Sequence, residues 1–142
     1  MSYRALTQNL PLIKARVSDV GGLTPGSGVQ ALSRNITLLV DTGADITCIS
    51  VEILHDLLLP RLEKRAVSTP TGPGELGVYM ADVGIWLTDG SPMKTHPIRV
   101  SGFLGRAPEY HGLLGRDLLA HYHFEMTQCA GYQLRPPPPP RR

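Results

Sequence analysis

The sequence predicts a mostly β fold, and three observations support this prediction. Glycine and proline are plentiful, at 15 and 13 of 142 residues, whereas aromatic residues make up only 6%. This composition favours short strands joined by many turns over long helices. Several short runs alternate apolar with polar residues and end at Gly, Pro, Asn or Asp. The length fits one domain with an ordinary hydrophobic core.

The N-terminal half predicts strands separated by loops. Residues 10–20 partly alternate between apolar and polar and end at a Gly-Gly pair, which predicts a strand, and residues 23–35 predict a loop. Two apolar β-branched runs at 36–40 and 45–51 flank a polar turn and predict two further strands. Residues 52–59 fit either a short helix or a buried strand, because their apolar spacing is too brief to choose between them.

The C-terminal half predicts a hairpin, further strands and a short helix. Residues 66–87 alternate about a turn rich in Pro and Gly, which predicts a long hairpin. Residues 96–100 predict a strand and residues 116–121 a short helix. Alternating apolar residues at 122–126 predict one more strand. We therefore expect the helical content of the chain to be small.

The C-terminal tail, residues 135–142, is a run of five prolines between arginines. Such a run cannot join a core and predicts an extended, solvated polyproline II segment. We therefore expect a folded domain at 1–134 and a disordered Pro/Arg-rich tail at 135–142. The tail offers a P-x-x-P ligand to a proline-recognising domain. A linker, or the remnant of a longer precursor, is the alternative interpretation.

Charge, cysteine usage and hydropathy exclude several classes of partner. The formal net charge of +2 is spread along the chain apart from the tail, so we expect neither a nucleic-acid nor a membrane partner. No stretch approaches the roughly twenty apolar residues of a membrane span, and no signal-peptide pattern opens the chain, so we expect a soluble protein.

Cys48 and Cys129 are predicted to be free thiols. His121 and His123 have no matching third ligand, so we expect no metal and no cofactor.

One short motif, Asp41-Thr42-Gly43, points to chemistry. An apolar strand leads directly to Asp41, and Thr42-Gly43 turn the chain, so the carboxylate should emerge at a strand end in partly dry surroundings. A buried carboxylate is costly unless it is paired or protonated. The alternative is an Asx-type turn in which the aspartate only accepts bonds from nearby backbone.

Two segments resemble the retroviral aspartic proteases, the retropepsins. LLVDTGADITCIS at 38–50 is similar to their active-site loop, and HGLLGRDLL at 111–119 is similar to the segment that enters their C-terminal helix. PLIKARV at 11–17 resembles their first strand, and TPTGPG at 69–74 lies where they carry a flap. The resemblance covers about residues 10–128. It implies a small closed barrel of the retropepsin type with one short C-terminal helix, in a homodimer.

The resemblance also implies roles for individual residues. Asp41 would be the catalytic aspartate, and Thr42 the residue whose hydroxyl links two active-site loops across the dimer axis, while Gly43 would let the substrate backbone approach closely. Arg116 would hold the active-site loop through Asp45. The expected substrate-binding residues are Ala44, Asp45, Thr71, Gly72, Pro73 and Gly74.

The chemistry of peptide hydrolysis calls for two carboxylates, and this chain carries one Asp-Thr-Gly. Two carboxylates about 3 Å apart share one proton, so that one activates water and the other protonates the scissile carbonyl, as aspartic proteases do. We therefore expect a homodimeric aspartic endopeptidase acting on peptides or proteins, in the cytoplasm or in a viral or retroelement particle. The alternatives are an inactive dimerisation or peptide-binding module of the same fold, and an adaptor ligand acting through the tail.

Overall fold

The computed structural model describes residues 10–22, 32–69, 71–105, 107–127 and 131–141. Within these ranges the chain forms nine strands and two short helices. The strands are β1 (Leu12–Ser18), β2 (Ser33–Val40), β3 (Cys48–Ser50), β4 (Arg61–Thr69), β5 (Gly72–Ile85), β6 (Lys94–Phe103), β7 (Gly112–Leu114), β8 (His123–Thr127) and β9 (Gly131–Arg135). The helices are α1 (Val51–Asp56) and α2 (Arg116–Leu119).

Six of the described strands close into a barrel. Their order is β1-β2-β7-β3-β6-β5, and β5 pairs again with β1 through Ala15 opposite Ile85, which closes the sheet on itself. A barrel this small is filled by its own side chains. The interior is accordingly apolar, and its fully buried side chains include Leu38, Ile49, Val83, Val100, Leu114 and Leu118. This architecture confirms the predicted all-β fold with a closed barrel and little helix.

The β4–β5 hairpin extends beyond the barrel and confirms the predicted hairpin. Its strands pair without interruption from Glu63 opposite Val78 to Thr69 opposite Gly72, so the turn is shorter than the 69–74 segment suggested. Pro70 lies outside the described residues, and Pro73 and Gly74 belong to β5. The hairpin therefore projects as a two-stranded arm, as a flap does.

Several predicted elements have different bounds in the structure. The strand predicted at 45–51 is reduced to the three residues of β3, because the loop that begins at Asp41 continues through Thr47. The segment at 52–59 is a helix, α1, followed by Leu58 at a φ of +54°. Of the loop predicted at 23–35, residues 32–35 are described, and Ser33 to Asn35 already belong to β2.

The C-terminal hairpin contains a strand, β9, that the sequence did not predict. β9 pairs with β8, and its Leu134 is fully buried in the core. The backbone N–H of Thr88 donates to the carbonyl of Leu134 at 2.9 Å, and the N–H of Leu134 donates to Thr88 Oγ1 at 2.8 Å. Arg135, which the sequence assigned to the tail, pairs with His123 as the last residue of β9. Among the described residues, no helix is long and apolar enough to cross a membrane.

Candidate active site

Asp41 immediately follows β2 and opens a tight loop. Its N–H donates to the carbonyl of Leu114 at 3.0 Å, which fixes the start of the loop against β7. The N–H of Gly43 donates to Asp41 Oδ1 at 2.9 Å, and the N–H of Ala44 donates to the Asp41 carbonyl at 3.2 Å. The first of these bonds is an Asx-type contact. The second carboxylate oxygen, Oδ2, accepts no hydrogen bond from the described residues and is available to an outside group.

Thr42 and Gly43 lie at the exposed tip of this loop, whereas Asp41 is half-buried. The hydroxyl of Thr42 makes no hydrogen bond with any other described residue, although the backbone around it is well fixed. The Thr42 hydroxyl and Asp41 Oδ2 thus both lack a hydrogen-bond partner among the described residues.

A buried hydrogen-bond network lies behind the loop and joins it to α2. The carboxylate of Asp117 accepts from the N–H of Thr47 at 3.1 Å and from its hydroxyl at 2.7 Å. Asp117 also accepts from the N–H of Leu118 at 2.9 Å, and the N–H of Gly115 donates to Thr47 Oγ1 at 3.1 Å. Thr47 is completely buried. Because buried polar groups must be paired, this network fixes the loop relative to the helix.

A second connection between loop and helix involves Arg116, which the sequence had singled out. Its N–H donates to the carbonyl of Ala44 at 2.8 Å, and its Nη2 lies 2.8 Å from Asp45 Oδ1. The structure thus brings Arg116 and Asp45 together. Their side chains are 62% and 67% exposed, and one nitrogen contacts one oxygen, so the pair is a surface ion pair and not a buried, two-pronged one.

Two glycines allow the loop, β3 and β7 to approach one another closely. A Cβ at Gly112 would lie 2.0 Å from the carbonyl oxygen of Cys48, and a Cβ at Gly115 would lie 2.7 Å from the carbonyl carbon of Ile46. Both contacts are to backbone, which cannot rotate away. Any larger residue would therefore push β7 and the start of α2 away from the Asp41 loop.

An apolar surface lies beside Asp41 on the outer face of the barrel. Strand register places Leu113 next to Leu39 on one side and next to Cys48 on the other, and paired residues share one face of a sheet. All three side chains are half-buried. The sequence interpretation missed them as site residues, since each reads as an ordinary core residue until the register of the strands is known.

The thiol of Cys48 lies within electrostatic range of both the active-site loop and the hairpin. Burial raises its pKa, the negative charges of Asp117 and Asp41 raise it further, and the positive charge of Arg65 on β4 opposes them. A thiol with a raised pKa stays protonated and behaves as a small apolar group. Cys48 thus adds a small apolar group to the surface that it shares with Leu39 and Leu113.

The other predicted substrate-binding residues lie at the end of the hairpin. Thr71 precedes β5, and Gly72, Pro73 and Gly74 are its first residues. Gly72 has a φ of +121° with open space where a side chain would be. That conformation favours glycine, so the hairpin tip carries no side chain at this position.

The two histidines that the sequence analysis considered as metal ligands, His121 and His123, have different neighbours in the structure. His121 stacks on His96 with ring centroids 4.9 Å apart, whereas His123 lies 3.7 Å from Glu125 on β8. No cluster of three or more His, Cys, Asp or Glu that could hold a metal occurs in the part of the chain that the structure describes. Cys129 lies outside the described residues.

A separate cavity of about 460 Å³ lies away from Asp41, between the start of α1 and the segment that precedes β7. Ser50, Phe103, Tyr110 and His111 line part of it. None of the residues predicted for catalysis or substrate binding lines it.

The closed barrel, the projecting hairpin and the single Asp-Thr-Gly loop held against a short helix together form the fold of the small retropepsin-type proteases. The family described as "Retroviral aspartyl protease" matches residues 7–127, and the chain belongs to this family. No curated protein matches the chain significantly. Proteins of this family typically act as dimers on peptide substrates.

Proposed function

We propose that this chain is a homodimeric aspartic endopeptidase in which each subunit contributes one Asp41. The observation that carries the proposal is the Asp41 carboxylate itself. One oxygen is held by Gly43, while the other has no partner among the described residues. A second Asp41 across a two-fold axis would supply the group that this oxygen lacks.

The reaction then follows from two carboxylates that share one proton. The ionised carboxylate removes a proton from a bound water, and the water oxygen attacks the carbonyl carbon of the scissile amide. The protonated carboxyl donates its proton to the carbonyl oxygen, giving a neutral tetrahedral diol. Proton transfer to the amide nitrogen then breaks the carbon–nitrogen bond and releases an acid and an amine. Thr42 of each subunit would bond the opposite loop and hold the two carboxylates in register.

The substrate would bind as an extended strand between the Asp41 loop and the β4–β5 hairpin. Backbone pairing of this kind gives affinity, and pockets for alternate side chains give selectivity. Ala44, Asp45 and the hairpin tip at 71–74 supply the backbone contacts in this proposal. Leu39, Cys48 and Leu113 form apolar walls that accept substrate side chains next to the cut, and closing the hairpin excludes water from it.

A peptide-binding module without activity is the competing function, and a peptide-cleavage assay separates the two. The proposal predicts that purified protein cleaves peptides from a random library, and that specific activity falls on dilution in step with dissociation measured by analytical ultracentrifugation. Full specific activity at concentrations where the protein is monomeric would overturn the shared site. Binding of peptides with no cleavage over the acidic and neutral pH range would favour the inactive module.

A further inference from the structure

The charged side chain of Arg65 lies on the face of the β4–β5 hairpin that continues into the active site. Register places Arg65 opposite Leu76, and Val78, two residues further along β5, lies opposite Ser101. Ser101 in turn lies opposite Cys48. Side chains that are paired across strands, or two apart along a strand, share one face of a sheet. Arg65 therefore lies on the same continuous face as Cys48.

An electrostatic observation agrees with this placement. The positive charge of Arg65 lowers the pKa of the Cys48 thiol, the same thiol whose pKa the charge of Asp41 raises. The half-buried side chain of Cys48 thus lies within electrostatic range of both the Arg65 guanidinium and the Asp41 carboxylate. The space that Arg65 faces is the space in which the proposed function places the substrate.

In the charged segment 63–65 of β4, Arg65 is the residue that has no ion-pair partner among the described residues. Its neighbours on β4 both have partners, since Glu63 lies 3.5 Å from Arg99 and Lys64 lies 3.7 Å from Glu75. Arg65 itself is exposed and makes no ion pair or hydrogen bond with any residue that the structure describes. Asp45 and Asp117 have partners of their own, because Asp45 contacts Arg116 and Asp117 accepts bonds from Thr47.

We propose that Arg65 is a specificity-determining residue that selects an acidic side chain in the peptide substrate. Arg65 precedes Thr69, the last residue of β4, by four positions, which is roughly 13 Å along a strand. If the hairpin tip covers the two Asp41 side chains, the acid that Arg65 binds lies about two to four substrate residues from the cut. Two-fold symmetry places a second Arg65 on the other flank. This inference rests on the proposed function, since it assigns a substrate to the same site.

The test uses the full chain and a set of peptides derived from one cleavable peptide. In each, Glu, Gln or Lys replaces a single residue that lies two to four positions from the cut. The parent, Arg65→Gln, Arg65→Glu and Lys64→Gln are compared by kcat/KM. Lys64→Gln is the matched control, because it removes a positive charge from the adjacent position on the opposite face of the hairpin. The same peptides are titrated by fluorescence anisotropy against Asp41→Asn, with and without Arg65→Gln.

The parent should prefer Glu over Gln by about tenfold at one or more positions, and the preference should weaken as salt is added. Arg65→Gln should abolish it, Arg65→Glu should turn it towards Lys, and Lys64→Gln should retain it. The inference is overturned if the Glu preference survives in Arg65→Gln, if the parent cleaves with no Glu preference, or if a parent that does not cleave binds Glu and Gln peptides equally. Cleavage without a Glu preference rejects this inference alone. Arg65-dependent binding of Glu peptides without cleavage by the parent upholds it and rejects the proposed activity.

Discussion

The carboxylate of Asp117 accepts hydrogen bonds from both the backbone N–H and the hydroxyl of Thr47, a residue 70 positions earlier in the chain. Thr47 is the last residue of the Asp41 loop before β3, and Asp117 lies in the first turn of α2. These bonds connect the two segments that the sequence had related only by resemblance. The loop that carries Asp41 is thus joined to α2 by a polar contact that involves none of the three motif residues.

Thr47→Val tests the importance of this contact, since valine keeps the shape of threonine and removes the hydroxyl. The Asp117 carboxylate would lose a donor, and the N–H of Gly115 would lose its acceptor in a buried site. We expect the free energy of unfolding to fall by about 1–3 kcal/mol, measured by urea denaturation. Thr37→Val is the control, because the half-buried hydroxyl of Thr37 bonds to no described residue, and its effect should stay within about 0.5 kcal/mol. Equal effects of the two changes would contradict the assignment.

Arg116→Lys tests the surface pair beside the active-site loop. Both partners are more than half exposed, so the stability lost should be at most about 1 kcal/mol. Peptide turnover should fall severalfold, since Asp45 belongs to the Asp41 loop and a lysine ammonium does not reproduce the position of the guanidinium nitrogen that contacts it. The control is Arg34→Lys, because Arg34 forms a similarly exposed pair with Asp56 at 3.2 Å, away from the site. Our mapping of this segment fails if Arg116→Lys equals the parent in both melting temperature and turnover.

The surroundings of His96 predict that the folded protein loses stability in acid. Its Nε2 lies 2.5 Å from the hydroxyl of Tyr122, and its ring stacks on His121. Burial lowers the pKa of His96, and the nearby His121 and Lys94 lower it further. Burial raises the pKa of Tyr122 to about 12, so its hydroxyl stays neutral. The folded state therefore binds a proton at His96 less readily than the unfolded state does.

The sign of the pH effect follows from that difference. The stabilisation is fully present above the pKa that His96 has when unfolded, about 6.5, and is lost as pH falls through the lower folded value. His96→Gln should flatten this part of the curve of unfolding free energy against pH, whereas the exposed His123→Gln should leave it unchanged. A parent and His96→Gln with the same slope below neutrality would refute the role of His96.

The parts of the site that could be predicted from sequence are those whose residues lie close together along the chain. Asp41, Thr42 and Gly43 are consecutive, and their apolar flanks predict strand, loop and strand. The Arg116–Asp45 contact could also be anticipated from the resemblance, and the structure brings the two residues together. The sequence could not predict that only one nitrogen of Arg116 contacts Asp45, because the number of atoms in contact depends on side-chain rotamers and exposure.

The parts that could not be predicted depend on pairing between distant segments. Thr47 sits in an apolar run and gains its role only when α2 packs behind it. β9 is stabilised by burial of Leu134 and by bonds to Thr88, 46 residues away, and neither is visible in its own five residues. Cys48 and Leu113 lie side by side on one face of the sheet only through their register, which a one-residue slip would reverse.

The most direct test of the central claim is peptide hydrolysis by Asp41→Asn, compared with the parent across pH. Asparagine preserves the size of aspartate and can accept the bond from Gly43, but it cannot take up or donate a proton in the reaction. We expect the variant to fold, dimerise and bind peptide yet cleave nothing. We expect the parent to work best on the acidic side of neutrality and to lose activity as the shared proton leaves at higher pH. Substantial cleavage by Asp41→Asn would rule out Asp41 as the catalytic residue.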